Sequence, residues 1–179
     1  MLVDHEIRSF IKAFKLGIDP FVENQLQPNS YDVRLDNKIK IIDINNISDI
    51  VDPCKDNSDI WLDYTIDEKY ILQPNECILA STVEYFILPS NISARVEGKS
   101  SLGRYFIGNH ITAGFIDSGF NGHITLEIKN NFNKAFVLYP NMLIGQIAFD
   151  LNEHCECPYN GKYQNQKCVQ DSKYYLNAV

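Results

Sequence analysis

Hydrophobic residues recur at helical spacing only near the start of the chain. Ile7, Phe10, Ile11 and Phe14 would share one face of a helix, and Asp4 precedes them as a residue suited to cap the helix N-terminus. The pattern predicts one short amphipathic helix. Because such a helix is polar on its other face, it would cover one side of a core built from other elements.

Beyond this helix the pattern changes to short runs rich in β-branched and aromatic residues. Asn, Asp, Pro and Gly separate these runs, which is typical of strands joined by turns. A mainly β domain, folded as a barrel or a sandwich, is therefore predicted. The predicted strands include residues 31–35, 38–44, 76–80, 84–88 and 92–96.

Residues 45–65 interrupt the strand pattern. This segment is rich in Asp, Asn and Ser and contains Trp61, the single tryptophan of the chain. We expect a long excursion from the body of the domain, with a short strand of its own. It shows no catalytic pattern.

Length and composition favour one compact unit. The chain has 179 residues, of which 45% are hydrophobic and 22% charged, as in an ordinary globular domain. It shows no fixed-period repeat and no linker, so we expect a single domain over residues 1–179. Apolar runs are short, and no basic region followed by an apolar stretch opens the chain, so we expect no membrane association and a cytoplasmic location. Five scattered cysteines fit reduced thiols better than a disulfide framework.

The charge of the chain limits its partners. Sixteen basic and twenty-three acidic residues give a net charge of −7, so no overall positive field exists to bind a nucleic-acid backbone. A polymeric nucleic-acid partner is therefore not expected. A local cluster of cations and backbone N–H groups can still bind a small anion.

The first block with candidate chemistry is EGKSSLGR at residues 97–104. Its lysine, two serines and arginine offer donors for phosphate oxygens or for a developing negative charge. It is not a P-loop, because Ser93 stands where that motif requires glycine. Taken alone, the block is more typical of a polar turn that caps a helix.

The second block, residues 110–128, predicts a β-hairpin that turns at residues 118–122. On its second strand, alternation places Glu127 on the face opposite Leu126 and Ile128. Taken alone, such an acid is a solvated surface residue. Its neighbours favour a binding role, since Asp117 lies at the turn and the small residues of 112–114 leave backbone groups accessible to a flat heterocycle. Those three residues are Thr112, Ala113 and Gly114.

Together these two blocks resemble the dCTP deaminases of the trimeric deoxyuridine triphosphatase superfamily. The resemblance extends over nearly the whole chain, because three further segments match the family's pattern. They are GIDPF at 17–21, QPNSYDVRL at 27–35 and YNGKYQNQ at 159–166. Together the blocks are specific, although each alone is not.

The resemblance implies a distorted β-barrel that assembles as a homotrimer with active sites at subunit interfaces. It also implies deamination without zinc. The residues support this independently, because the His-x-Glu and Pro-Cys-x-x-Cys signature of zinc deaminases is missing. A side chain must then activate the water that attacks the base.

By the family pattern, Glu127 is this general base. Arg104 and Ser100 would hold the water and stabilise the tetrahedral centre. Asp117 would accept a hydrogen bond from the deoxyribose 3′-hydroxyl, and Phe115 would pack on the sugar and exclude a 2′-hydroxyl. The resemblance thus implies a preference for deoxyribonucleotides.

The resemblance also implies a triphosphate site, with Mg²⁺ bridging the phosphate oxygens and no metal ligand from the protein. Without the family match, Gln146 is equally well interpreted as a satisfied barrel glutamine. Residues 159–179 would form a mobile C-terminal strap ordered by the nucleotide, the alternative being a disordered end. The implied phosphate contacts are Lys99, Ser101, Gln146, Tyr159, Lys162, Tyr163 and Gln166.

Gly114 and Phe115 favour one branch of the family. The sequence TAGFID at 112–117 is similar to members that also cleave the α–β phosphate bond, in which Asp117 orients a second water. The expected products from dCTP are dUMP, ammonia and pyrophosphate, which would supply dUMP for dTTP synthesis. The alternative within the family is a monofunctional deaminase that releases dUTP.

Two further alternatives remain open. A plain deoxyuridine triphosphatase is disfavoured because the pair of Arg104 and Glu127 is retained. A non-catalytic regulator that binds deoxynucleotides is suggested by Phe106, which replaces a usual glycine. Other departures from the family pattern are Ser118, Cys168 and Lys173.

Overall fold

The fold is taken from a computed structural model, which describes residues 1–177. One helix, α1 (Asp4–Lys12), precedes a mainly β body, and a four-residue helix, α2 (Ser100–Gly103), lies within it. The strands are β1 (Gly17–Asp19), β2 (Leu26–Gln27), β3 (Ser30–Ile42), β4 (Trp61–Thr65), β5 (Tyr70–Leu72), β6 (Cys77–Ile87), β7 (Ile92–Gly98), β8 (Ile107–Gly108), β9 (Phe115–Ile116), β10 (Asn121–Asn130), β11 (Phe136–Leu138) and β12 (Leu143–Leu151).

Ten strands form one antiparallel sheet that curls into a half-barrel, in the order β8-β10-β6-β3-β12-β7-β9. β1 joins this sheet on β6, and β2 and β4 join it on β3. β5 and β11 form a separate two-stranded sheet. The predicted fold class, mainly β with a short N-terminal helix, is confirmed.

The long strand β3 holds the two sides of the half-barrel together. Its first half pairs with β2 and β12, and its second half pairs with β4 and β6. A register shift between Leu35 and Ile39 separates the halves. Such an irregularity bends a strand and increases its twist, which lets one strand contribute to both sides of the core.

The core lies inside the curl, where alternate residues of each strand point. β10 shows this clearly, because Ile124, Leu126 and Ile128 are buried while the residues between them are partly exposed. Tyr31, Phe86 and Phe149 are the largest side chains that the core buries completely. Alternation with period two therefore separates a packed inner face from an outer face that is available for chemistry.

The N-terminal helix packs on this core through Ile7, which is fully buried. Asp4 begins the helix and does not cap it. Val3 is the cap residue, and its backbone N–H donates to the Glu6 carboxylate at 2.9 Å. Phe14, which was predicted to lie on the apolar face of the helix, follows the end of α1 with a positive φ of 55° and is 97% exposed. The predicted helix is therefore too long at its C-terminal end.

The excursion forms the expected short strand. β4 closes residues 45–65 and pairs with the second half of β3, so that Trp61 lies opposite Ile42 and Asp63 lies opposite Lys40. The excursion therefore returns to the sheet and extends it. No helix among residues 1–177 is long and apolar enough to cross a membrane.

The predicted hairpin over residues 110–128 is wrong. β9 pairs with β7 on one side of the half-barrel, whereas β10 pairs with β6 and β8 on the other. The turn between them therefore joins the two sides of the fold. The local pattern of two strands and a turn is the same in both arrangements, so it could not reveal which partner each strand takes.

The buried carboxylate of Glu84 on β6 links three segments of the chain through hydrogen bonds. This carboxylate is fully buried and accepts from the Arg34 side chain at 2.7 Å, the Arg34 backbone at 2.9 Å and Gln25 at 2.9 Å. Gln25 also donates to the backbone of Asp32 at 2.7 Å. This network joins β3, β6 and the turn that precedes β2, and its partners satisfy the buried charge.

We expect Glu84→Gln to lower the free energy of unfolding by about 3 kcal/mol, because it leaves the Arg34 guanidinium without its counter-charge. Urea unfolding at one fixed protein concentration measures this loss. The matched control is Glu68→Gln at an exposed position, where we expect a change under about 0.5 kcal/mol. Equal effects of the two variants would contradict the role assigned to Glu84.

Candidate active site

The register between β10 and β6 places an acidic side chain on the outer face of the sheet. Glu127 lies opposite Leu79, and Leu79 in turn lies opposite Lys40 of β3. Directly opposed residues share a face, so these three side chains form a row across the strands. Thr125 emerges on the same face, one step along β10.

The Glu127 carboxylate is held by backbone donors. The N–H groups of Ile111 and Thr112 point at Oε2, at 2.8 Å and 3.4 Å. Within residues 1–177 both hydrogen bonds to this carboxylate go to Oε2, which leaves Oε1 for a water molecule. A carboxylate fixed in this way is suited to accept a proton from a water held beside it.

Glu127 lies in a cleft of about 460 Å³, which is within the size range of small-molecule sites. Seven residues predicted from the sequence as site residues line it. They are Ala113, Phe115, Asp117, Glu127, Tyr159, Tyr163 and Gln166. The structure therefore brings the predicted base, the predicted sugar contacts and part of the C-terminal segment into one cavity.

Residues 113–117 form one wall of this cleft. Phe115 and Ile116 form β9 on the edge of β7, and Phe115 is 63% exposed. The Gly114 carbonyl accepts the Val96 N–H at 2.7 Å. A Cβ on Gly114 would lie 3.2 Å from His110 and from the Val96 carbonyl oxygen, so this wall packs closely against β7.

The C-terminal segment is docked along β10. Gln166 forms a parallel bridge with Gly122, and its carbonyl accepts the His123 N–H at 3.1 Å. Its side-chain amide donates to the His123 carbonyl and, at 3.3 Å, to the Thr125 hydroxyl. The same hydroxyl accepts the Gln170 N–H at 3.3 Å. Backbone pairing thus brings Tyr163 and Gln166 to the cleft.

Two glycines permit this close approach. Gly119 and Gly122 have φ values of +91° and +151°, which side chains of L-residues rarely allow. A Cβ on Gly119 would lie 2.6 Å from Pro158 and 2.9 Å from the Tyr159 nitrogen. The C-terminal segment begins at this point, because the Tyr159 N–H donates to the Ser118 carbonyl at 2.9 Å.

The cations predicted for the triphosphate lie outside the cleft. Lys99 donates to the buried Asp32 carboxylate at 2.6 Å. The Gln146 side chain accepts from Ser30 at 2.7 Å and donates one N–H to the Gly98 carbonyl at 3.0 Å, so it is bonded within the barrel. Lys162 lies over the ring of Tyr163, 5.7 Å from its centre.

The loop after β7 is also separate from Glu127. Ser100, Ser101 and Arg104 are exposed on or beside α2, and none of them lines the cleft. Within a single chain the structure therefore does not bring the predicted donors to the predicted base. The residues that directly follow Arg104 are apolar, and Tyr105 and Phe106 are both more than half exposed.

Phe106 occupies a left-handed backbone conformation with a φ of 60°. Glycine is favoured in this conformation, which gives a physical reason for the glycine common in the family. The Phe106 ring stacks on Phe132 at a centroid distance of 5.9 Å. This contact offsets part of the backbone strain.

The sequence reasoning missed several residues that line the cleft. Trp61 stood out only as the one tryptophan of the excursion. Strand register brings Leu79 and Thr125 to the cleft, and the path of the C-terminal segment brings Asp171 there. Of these, Thr125 alone had a usable signal, since it alternates with buried residues on the same face as Glu127.

Comparisons with known proteins agree on one family. The family described as "dCTP deaminase-like" matches residues 1–151. A Corynebacterium jeikeium protein named "dCTP deaminase, dUMP-forming" is 42% identical over 185 residues, covering 99% of this chain and 98% of the relative. A Mycobacterium tuberculosis protein of the same name is 42% identical over 187 residues, covering 100% of this chain and 98% of the relative.

One solved structure supports the fold. The 2′-deoxycytidine 5′-triphosphate deaminase from Agrobacterium tumefaciens superimposes with a TM-score of 0.66 at 25% sequence identity. The match covers 84% of this chain and 48% of that chain, so this chain spans about half the length of that protein.

We expect Gly119→Ala to displace the start of the C-terminal segment and to lower the free energy of unfolding by about 2 kcal/mol, since the new Cβ clashes and the backbone is strained. Urea unfolding measures the loss. Gly103→Ala is the matched control, because a Cβ there meets nothing within 4 Å, and we expect it to be neutral or stabilising by up to about 1 kcal/mol. Equal destabilisation by both variants would contradict this account.

Proposed function

The chain belongs to the dCTP deaminase-like family, and we propose on that premise that it hydrolyses dCTP to dUMP, ammonia and pyrophosphate. The observation that carries the proposal is a carboxylate, Glu127, fixed by two backbone N–H groups inside a cleft of nucleotide size. The whole-chain relatives named dUMP-forming favour both reaction steps over deamination alone. The expected cytoplasmic location stays a prediction.

The first step replaces the amino group at C4 of cytosine. Glu127 accepts a proton from a water as the water oxygen attacks C4, which gives a tetrahedral centre. Glu127 passes this proton to N3, then moves the proton of the new C4 hydroxyl to the amino nitrogen, and the C4–N4 bond breaks to leave a C4 carbonyl and release ammonia. Arg104 and Ser100 would stabilise the charge that develops at this centre.

Phe115 and Asp117 would select the sugar. Both line the cleft beside Glu127. The exposed ring of Phe115 offers a flat apolar surface that would leave no room for a 2′-hydroxyl, and the Asp117 carboxylate can accept a hydrogen bond from a 3′-hydroxyl. Backbone groups of Thr112, Ala113 and Gly114 would meet the edge of the base.

The second step cleaves the bond between the α- and β-phosphates. Asp117 would orient a second water toward the α-phosphorus, so that dUMP and pyrophosphate leave as separate products. Mg²⁺ bound through phosphate oxygens would neutralise charge on the leaving pyrophosphate. Among residues 1–177 no group of three or more His, Cys, Asp and Glu residues is placed to hold a metal.

The remaining phosphate contacts would come from two surfaces. Tyr159, Tyr163 and Gln166 already line the cleft, and Lys162 lies next to them. Lys99, Ser101 and Gln146 lie with Ser100 and Arg104 on the side of the fold that holds β7 and α2. The two groups would meet if a second copy of the chain brought its β7 side against the cleft.

We therefore propose a homotrimer whose active sites combine two subunits. In each chain the half-buried Glu127 carboxylate and the exposed residues Ser100 and Arg104 do not line the same cleft. The exposed apolar side chains of Tyr105, Phe106 and Ile111 support this proposal, since an interface could bury them. A closed ring of identical subunits would form equivalent sites at each contact.

We expect Glu127→Gln to abolish ammonia release from dCTP while nucleotide binding persists, because the amide keeps the shape of the side chain and cannot act as a base. Ammonia release and product chromatography measure the reaction, and calorimetry measures binding. The control is Glu68→Gln at an exposed position that does not line the cleft, and it should retain full turnover.

The wild-type product distinguishes the candidate activities. dUMP from dCTP supports the proposed coupled reaction, and dUTP from dCTP supports a monofunctional deaminase. Binding of dCTP without ammonia release by the wild-type protein would overturn the enzyme proposal and favour a regulator. Undiminished deamination by Glu127→Gln would overturn the assigned base.

Mixing two inactive variants tests the shared site. Glu127→Gln and Arg104→Ala should each be inactive as pure trimers. After co-refolding in equal amounts, we expect about a quarter of wild-type ammonia release, since random pairing gives this share of sites with both native residues. No recovery on mixing, with trimers confirmed by light scattering, would place both residues in the same subunit.

A further inference from the structure

A single lysine connects the C-terminal segment to the sheet beneath it. Lys40 lies on β3 in the row that runs from Asp63 through Leu79 to Glu127. Its ammonium contacts Asp171 Oδ2 at 3.2 Å and Asp63 Oδ1 at 3.0 Å. Asp171 lines the cleft, whereas Asp63 belongs to β4. Lys40 therefore joins a residue of the C-terminal segment to the sheet.

The two ion pairs differ in their exposure. The side chains of Lys40 and Asp171 are 15% and 18% exposed, and that of Asp63 is 85% exposed. Coulombic attraction is stronger where water is displaced, and exposed pairs contribute little. The bond to Asp171 is thus the stronger of the two, although the distances are similar.

Lys40 remains charged under ordinary assay conditions. Burial lowers its pKa, but hydrogen bonds to Asp63 and Asp171 and their negative charges raise it by more, so the net pKa lies above the usual 10.5. The ion pair consequently persists across neutral and mildly alkaline pH.

We propose that Lys40 is a positioning residue, which through Asp171 holds the C-terminal segment in the closed arrangement that binds the nucleotide. This inference rests on the proposed function, because it assigns the segment to nucleotide binding. Gln170 and Ser172 flank Asp171 and also line the cleft. The Gln170 N–H is bonded to Thr125 on the same face, so the ion pair and this bond fix the segment at adjacent residues.

The expected consequence is a loss of affinity. Tyr163 and Gln166 contribute to the cleft only when the segment is docked, so the apparent dissociation constant rises as the closed fraction falls. Glu127 and its backbone donors are not part of the ion pair. Turnover of bound substrate should therefore change little.

The experiment compares Lys40→Met and Asp171→Asn with the matched control Asp63→Asn. In the first two variants we expect KM for dCTP to rise about tenfold, with kcat within about twofold. A tenfold rise corresponds to a modest loss of binding free energy, as expected when one partly buried ion pair is removed. Amide hydrogen exchange of residues 163–172 should accelerate. Asp63→Asn removes the exposed partner of the same ammonium and should leave KM, kcat and exchange near wild type.

Two rescue variants separate positioning from general stability. Lys40→Arg should retain the ion pair and a near-native KM. Lys40→Asp combined with Asp171→Lys should recover most of the affinity that either change alone removes. Recovery of KM and of slow exchange together supports the proposal.

Several outcomes would overturn it. These are equal effects of Asp63→Asn and Asp171→Asn, unchanged exchange of residues 163–172 in Lys40→Met, or a loss of kcat with KM unchanged. If the wild-type protein released no ammonia from dCTP, the proposed function would fail instead. Amide exchange in Lys40→Met would still test the ion pair in that case, because it requires no turnover.

Discussion

The register between β10 and β6 is the constraint on which the site depends. A slip of one residue would turn Glu127 into the core and bring Leu126 to the surface. The buried residues on either side of Glu127 make that slip costly, since Leu126 and Ile128 are completely buried. The packing of the core thus fixes where the carboxylate emerges, and the backbone of residues 111–112 fixes how it is oriented.

The same face organises what surrounds the carboxylate. Thr125 accepts two hydrogen bonds from the C-terminal segment, and Lys40, two strands away, holds Asp171. Gly119 and Gly122 have no Cβ atom, and a Cβ at either position would clash with the C-terminal segment. The cleft is therefore assembled from distant parts of the chain by one sheet surface, whereas Ser100 and Arg104 are exposed outside it.

Much of this arrangement could be predicted from the sequence. The strand pattern predicted the mainly β fold, alternation placed Glu127 opposite the core residues, and the two motif blocks indicated the family. Long-range strand pairing could not be predicted, because the sequence pattern of a strand followed by a turn is the same whether β9 pairs with β10 or with β7. For the same reason Trp61, Leu79 and Asp171 were missed, since only strand register and the path of the tail bring them to the cleft. Gln146 had two interpretations, and in the single chain it is bonded within the barrel.

In the proposed trimer, Glu127 of one subunit acts together with Arg104 of another on one nucleotide. A crystal structure of the Glu127→Gln variant with dCTP and Mg²⁺ would show whether it does. We expect a trimer with cytosine C4 beside the side chain at position 127, separated by one water within about 3–3.5 Å of the reacting carbon. Arg104 of a neighbouring subunit should lie at the same nucleobase. A base bound away from position 127, or a site completed by Arg104 of the same chain, would contradict this proposal.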